Sequence, residues 1–330
     1  MITPSDFIRI DYTPDLTLAG IAYACRSLAY TYNRMGGSAA HRMRRIVIGK
    51  AVELAFRRRL SAQGIPHDNL GTTHFTDPDH YDLALGGRRC DIKSYHISDK
   101  NRIRELNRDP SCLLDASALV PLDQATNTRF ENHDLYIFAF VTGLIAPRLD
   151  DFSRLVAAGQ LIYLIHPFPR AWSRPETWQS LGGLALKADI PHTLQVELGG
   201  QDRDHRFQTE QITLEPLRRT PVQQDFYSIS YLHVSQPPEG RVGISSPLFK
   251  EPYLIAPEAW ENIWIYGMDI FLTGFMARGE YLQQAQRLPA GSRVFQYHHT
   301  RTPNLNLPVR DLYPLQYLFQ QVKEWDQMRR

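Results

Sequence analysis

The sequence predicts an α/β chain of the α+β kind, with a mixed β-sheet flanked by helices in its first half and a β-rich region with further helices in its second. Three observations carry that reading. Two apolar patterns at helical spacing follow one another between residues 15 and 63, a Gly86-Gly87 pair separates two alternating runs, and residues 135–141 (Leu-Tyr-Ile-Phe-Ala-Phe-Val) form an unbroken apolar stretch.

Taken in order, Asp15 to Met35 reads as the first helix, because Leu16, Leu18, Ile21, Ala22, Cys25, Leu28 and Ala29 recur on one side. Met35-Gly36-Gly37 stops it. Ser38 is a candidate N-cap for a second helix running to about Gln63, with Ile46, Ala51, Leu54, Ala55 and Leu60 at helical spacing and Gly64-Ile65-Pro66 as its end. His80 to Leu85 and Arg88 to Ile97 then form a hairpin, since a two-residue Gly-Gly loop between alternating runs favours that turn. Residues 101–128 are polar, contain Pro110 and Pro121, and read as loop with short helical pieces. The 135–141 run suits a strand buried on both faces, and Leu161–Ile165 is similar. Beyond about residue 167 prolines become frequent. Strand-like runs recur at 193–198, 207–214 and 226–234, followed by helical stretches at Pro257–Arg278 and Asp311–Met328. A boundary near residue 170 would separate a core at 1–170 from a β-rich and helical region at 171–330 serving substrate selection, partner binding or dimerisation. The second part could equally elaborate a single domain. No internal repeat or low-complexity tract is present.

Composition excludes several classes. At 330 residues, 43% hydrophobic and 22% charged, the chain can bury a sizeable core. A net charge of +2 does not by itself mark a nucleic-acid binder, so the distribution of charge has to decide. The three cysteines, Cys25, Cys90 and Cys112, make no CxxC pair and have no histidine at zinc-ligand spacing. Such a sparse, odd set argues against a disulfide framework and suits a reducing compartment. The opening residues lack a basic segment leading into an apolar run, and no stretch approaches the roughly 18 apolar residues of a membrane span. A cytoplasmic chain without a membrane partner is expected.

The segment that carries chemistry is Asp77 to Tyr95. With a two-residue loop at Gly86-Gly87, Leu85 opposes Arg88, and counting back along both strands brings Asp82 opposite Asp91. Opposed residues share a face with Cβ atoms about 5 Å apart, and Lys93, two residues beyond Asp91, shares it too. Two facing carboxylates repel, and a divalent cation removes that penalty; Mg²⁺ takes oxygen ligands, commonly one or two carboxylates with waters and phosphate oxygens. A nearby lysine could orient the attacking water and stabilise charge on a phosphate, while the metal lowers the pKa of bound water. Asp79 makes a literal Pro-Asp pair with Pro78, but it is three residues from Asp82 and falls on the opposite face of a regular strand, so Asp82 is preferred. A bulge would shift this register by one. His80 would oppose Lys93 on the same count.

Asp82 followed by Asp91-Ile92-Lys93 resembles the PD-(D/E)xK nuclease superfamily, the restriction-endonuclease-like fold. The resemblance covers roughly residues 38–145. It implies a core of mixed sheet flanked by helices, and a helix before the hairpin that supplies a glutamate to the metal site. Glu53, the sole acid of the second helix, stands in that place, with Gly49 one turn earlier allowing close approach of sheet or substrate. The proline does not immediately precede the preferred aspartate, a departure that lowers the motif's specificity. The resemblance implies a Mg²⁺- or Mn²⁺-dependent nuclease with Glu53, Asp82 and Asp91 as ligands and Lys93 positioning water. Restriction, phage defence or repair are the settings it implies, and a homodimer that cuts both strands is common among such enzymes.

Positive charge clusters in the same part of the sequence: Arg42, Arg44, Arg45, Lys50 and Arg57–Arg59 on the second helix, with Arg88 and Arg89 at the hairpin tip. Arg42, Arg45, Lys50, Arg88 and Arg89 are candidate contacts to a DNA backbone, which is held largely without regard to sequence; RNA is not excluded. A solvated helix face is the bland alternative, most of all for Arg57–Arg59. His298-His299 with Tyr297 read as loop residues. Trp260 and Trp264, four apart, read as core on the expected helix, while stacking on bases is the other use of such rings, as for Trp172 and Trp178. No GxxxxGK[ST] phosphate loop is present. Rival readings are a nuclease fold that only binds nucleic acid or a protein, an RNase or signal-activated nuclease, and an interaction protein in which Asp91 and Lys93 form an ordinary ion pair.

Overall fold

The computed structural model describes residues 2–30, 38–68, 81–126, 130–146 and 148–329. In chain order its elements are β1 (Ile8–Ile10), α1 (Pro14–Ser27), α2 (Ala39–Ala62), β2 (His67–Asp68), β3 (Leu83–Leu85), β4 (Arg88–Ile97), α3 (Lys100–Arg108), β5 (Ser117–Pro121), α4 (Leu122–Ala125) and β6 (Leu135–Ile145). There follow α5 (Leu149–Ala157), β7 (Leu164–Pro167), α6 (Arg170–Ser173), β8 (Ala185–Ala188), β9 (Leu194–Gln201), β10 (Phe207–Leu214), β11 (Arg219–Pro221) and β12 (Ser228–Val234). The last are β13 (Val242–Ser245), β14 (Tyr253–Ile255), β15 (Glu261–Asn262), β16 (Ile265–Ala277), α7 (Arg278–Gln284), β17 (Gln286–Leu288), β18 (Asn304–Pro308) and α8 (Leu315–Arg329). This is a mixed α/β chain, as expected, and among the described residues no helix is long and apolar enough to cross a membrane.

Local chemistry sets the helix ends. Pro14 opens α1 at a position where its missing N–H costs nothing. Ser38 caps α2, its Oγ accepting the His41 amide at 3.2 Å, and Gly64 leaves the helix with φ +62°. The expected stop of the first helix at Met35-Gly36-Gly37 lies outside the described residues.

The chain divides into two units that do not follow sequence order. One holds residues 1–20, 47–144 and 266–330, the other 21–46 and 145–265. From composition a single cut near residue 170 is expected; instead the chain leaves the first unit and comes back to it. In the first unit a six-stranded sheet runs β1-β16-β6-β4-β3-β2 and a three-stranded sheet runs β17-β18-β5. β4 pairs parallel with β6, while β2–β3, β3–β4 and β1–β16 are antiparallel. Tyr95, Ile97, Leu119, Phe138, Phe140, Met276 and Tyr281 build one core on this unit. Val47, Ile48, Ala51, Val52, Ala55, Phe56 and Leu60 give α2 a wide buried stripe. Where α1 approaches α2, a Cβ on Gly20 would stand 2.6 Å from the Val47 carbonyl oxygen, so only glycine fits. The second unit carries a five-stranded sheet (β10-β9-β12-β7-β15) and a four-stranded one (β11-β8-β13-β14), with Leu186, Val196, Leu198, Ile229, Leu232 and Trp260 in its core.

Two expected assignments are corrected. Pro257–Arg278 is not a helix: a short 3₁₀ turn at Pro257–Ala259 leads into β15 and then the 13-residue strand β16. A largely apolar run fits a strand buried on both faces as well as a helix. Here its β-branched and aromatic residues (Ile265, Ile270, Phe271, Thr273, Phe275) favour the strand, and β16 lies between β1 and β6. Trp260 and Trp264 are core, 1% and 5% exposed, but from extended chain. Within the stretch read as loop at 101–128, Ser117–Pro121 forms β5, paired along its length with β18.

Candidate active site

The hairpin forms as its turn dictates. Gly86 and Gly87 take φ +55° and +75°, and the ladder pairs Leu85 with Arg88, Ala84 with Arg89 and Leu83 with Cys90. It stops there. The Asp82 amide donates to the Cys90 carbonyl at 3.0 Å, so Asp82 and Leu83 both turn to Cys90, as at a bulge. The direct opposition of Asp82 and Asp91 expected from counting is therefore not reached. Instead the Asp82 carboxylate folds over the open ladder, and its Oδ2 accepts the Ile92 amide at 2.6 Å. Asp79 and His80 lie outside the described residues.

β4 has two faces with different company. On one, Ser94 turns to α2, where a Cβ on Gly49 would lie 3.9 Å from the Ser94 Oγ. That is ordinary contact, so this glycine is not required by packing. Alternation puts Asp91, Lys93, Tyr95 and Ile97 on the other face, and Tyr95 hydrogen-bonds there with Leu119 of β5. Lys93 is 9% exposed. Its Nζ lies 2.5 Å from Asp91 Oδ2 and donates to Gln124 Oε1 at 2.8 Å, and it stands 5.7 Å from the centre of the Tyr136 ring. Tyr136 reaches this place because the parallel register sets it beside Asp91. Its hydroxyl is buried without a hydrogen-bond partner, and burial, reinforced by the Asp91 charge, pushes it up to about 12.

Glu53 comes from the α2 side, where Lys50, one turn earlier, donates to its Oε2 at 2.7 Å. Asp82 stands at the end of the ladder, within electrostatic reach of both groups. Burial first, then the Glu53 and Asp91 charges, hold its carboxyl well above the usual carboxylate range; the Ile92 amide and Lys50 only partly oppose this. The arrangement is a half-buried acid crowded by two further acids, each with its own lysine.

The other candidate contacts are dispersed. Arg88 is exposed at the hairpin. Arg89 forks onto Asp134, with Nε to Oδ1 at 2.9 Å and Nη2 to Oδ2 at 2.7 Å. Arg42 and Arg45 belong to the second unit; both are half-buried, and burial and each other's neighbourhood, with Arg174, lower Arg42. Arg44, also in that unit, is buried with its guanidinium on the Asn262 carbonyl. His298 and His299 are exposed in a loop.

Three side chains at the site were not singled out from sequence: Gln124, Tyr136 and Arg278. Gln124 sits on α4, within the stretch read as loop. Arg278 sits at the end of the stretch misread as helix. Tyr136 was visible only as one more ring in an apolar run.

Glu53, Asp82 and Asp91 supply the oxygen donors a hard divalent cation takes, and the crowding of Asp82 is the imbalance such an ion relieves. The side chains are not gathered about one point, however. Asp91 is closed onto Lys93 and Glu53 onto Lys50, and among the described residues no group of three or more His, Cys, Asp or Glu side chains is placed to hold a metal ion. No protein-family model, curated protein or solved structure matches the chain.

Proposed function

We propose that the chain is a metal-dependent nuclease hydrolysing phosphodiester bonds in DNA, with Glu53, Asp82, Asp91 and Lys93 as its working residues. The observation that carries this reading is the buried Lys93 ammonium held 2.5 Å from Asp91 on β4, with the crowded Asp82 at the end of the adjoining ladder. A lysine that is 9% exposed is set against a carboxylate at a cost in desolvation, which a charge-handling role explains better than a surface ion pair does. Glu53, Asp82 and Asp91 would hold Mg²⁺ or Mn²⁺. When bound, that ion would polarise the phosphorus–oxygen bond and lower the pKa of its water. Lys93 would orient the attacking water and offset charge on the phosphate, with Gln124 fixing the direction of one of its N–H donors. Arg88, exposed at the hairpin, would meet a phosphate backbone, as would Lys50 once released from Glu53, and restriction or phage defence would be fitting settings.

The test is cleavage of plasmid, single-stranded DNA and RNA with Mg²⁺ or Mn²⁺ by the wild type, Asp91→Ala and Lys93→Ala. Metal-dependent cutting by the wild type alone is expected, and its preferred substrate separates DNA from RNA. Equal cutting by all three proteins would sink the assignment.

One observation favours a second reading. The closure of Asp91 and Glu53 onto their own lysines suits a fold that binds nucleic acid or protein without cutting. Binding of these nucleic acids with no metal-dependent turnover on any of them would select it.

A further inference from the structure

Lys93 owes its place to groups far away in the sequence. Gln124, which takes its Nζ at 2.8 Å, rides on α4, a single turn of four residues. The last carbonyl of that turn, Ala125 O, accepts Arg278 Nη2 at 2.7 Å, and the first amide, Leu122 N, donates to Pro303 O at 3.0 Å. Arg278 opens α7 and is 8% exposed; its own amide donates to Asp134 O at 2.7 Å, just before β6. It also lies beside Tyr136, whose hydroxyl it lowers against the effect of burial. The Tyr136 ring backs the Lys93 ammonium, and its other side packs edge-on against Tyr281, one turn after Arg278. The guanidinium thus braces the turn that carries Gln124, and the helix it opens carries the ring that packs on Tyr136.

Resting on the nuclease reading above, we infer that Arg278 is a positioning residue, which fixes the Lys93 ammonium through the Ala125 carbonyl and the turn that carries Gln124, without touching substrate. The groups facing that ammonium are Asp91 from its own strand, Tyr136 from β6 and Gln124 from α4, with Arg278 from α7 behind them. An arginine suits the task because its planar, rigid fork fixes the direction of the N–H it gives the Ala125 carbonyl, whereas a lysine offers a single point. Displacing a reacting group by about 1 Å is enough to cost on the order of 100-fold in rate, so a brace outside the reaction centre still governs turnover.

The experiment uses the full chain with ¹³C-labelled lysine and compares wild type, Arg278→Met, Arg278→Lys and Gln124→Met. The first readout is the order parameter of the Lys93 side chain without metal, with the half-exposed Lys187 as an internal mobile control. The second is kcat and KM for metal-dependent cleavage of the wild type's preferred substrate. Arg278→Met should loosen Lys93 toward Lys187 and lower kcat on the order of 100-fold with KM little changed, and Arg278→Lys should recover part of both. Gln124→Met should loosen Lys93 in the same way, and it serves alone if Arg278→Met fails to fold. A Lys93 as ordered as in the wild type in whichever of these variants folds would overturn the inference, whatever the activity. Absence of wild-type cleavage on every substrate would instead remove the nuclease reading, and the order parameter would still decide whether Arg278 holds the lysine.

Discussion

Asp82 and Asp134 each precede a strand that neighbours β4, one on its antiparallel side and one on its parallel side. Asp134 is 1% exposed, and its carboxylate receives the Arg89 fork and the Glu131 amide, the latter at 2.6 Å. Asp82 receives one amide and is surrounded by the charges of Glu53 and Asp91. A buried acid met by a guanidinium is part of the scaffold, because its charge is matched where it stands. A half-buried acid met by other acids is left holding free energy that a cation or a proton can release, and such groups concentrate at functional sites. The difference between them separates a matched charge from a crowded one within a single sheet.

The sharpest way to break the comparison is to offer a divalent cation. Mg²⁺ at a hundredfold excess over its Kd should stabilise the wild type by about 2.7 kcal/mol, and Asp82→Asn should abolish this while Asp134→Asn retains it. Thermal melts with and without Mg²⁺ decide the matter, and equal shifts in both variants would erase the distinction. Next in size, Asp134→Asn should cost about 2 kcal/mol, since it unmakes charge-assisted bonds to a buried group, whereas Asp82→Asn should leave stability unchanged or raised in metal-free protein. Denaturant titration checks both.

The pH dependence sharpens the same contrast. The Asp82 carboxyl is raised in the folded chain, so the native state keeps its proton to higher pH than the unfolded chain does. Its ionisation costs stability above the raised pKa, and that cost is relieved as pH falls from there toward the ordinary carboxylate range. The wild-type melting temperature should therefore gain on Asp82→Asn as neutral solutions are made mildly acid, in the absence of metal. The smallest expected effect is geometric. Gly86→Ala should cost about 1 kcal/mol, because φ is +55° there and a Cβ would stand 3.2 Å from Val322 Cγ2. It leaves every charge in place, so any change in Mg²⁺ response would show how far hairpin geometry, apart from charge, sets the Asp82 position.

Much of this region was legible in the sequence because the signals are local. Ser38 and Gly64 bound α2, Gly86-Gly87 sets the hairpin register, and the 135–141 run is the buried strand beside it. The candidate site was legible as residue types at a spacing, Asp91 and Lys93 on one face of β4. What escaped was whatever depends on residues far apart in the chain. The bulge that turns Asp82 onto the Ile92 amide is a contest between ladder pairing and a side-chain acceptor, which a count along two strands cannot weigh. Gln124 reaches Lys93, and Arg278 reaches the turn that carries Gln124, across 31 and 153 positions of sequence respectively. Ile265–Ala277 reads as helix from sequence because burial of both faces over Ile270–Met276 removes the alternation by which a strand is distinguished from a helix.

The place of β16 also governs how the molecule is made. It is hydrogen-bonded between β1 and β6, yet its first residue comes about 120 positions after β6 ends, which is on the order of ten seconds of ribosomal synthesis. During that interval the apolar edge of β6 waits for its neighbour. The nascent chain must hold or shield this edge until residue 277 has emerged, and the first sheet closes only after the second unit has been translated.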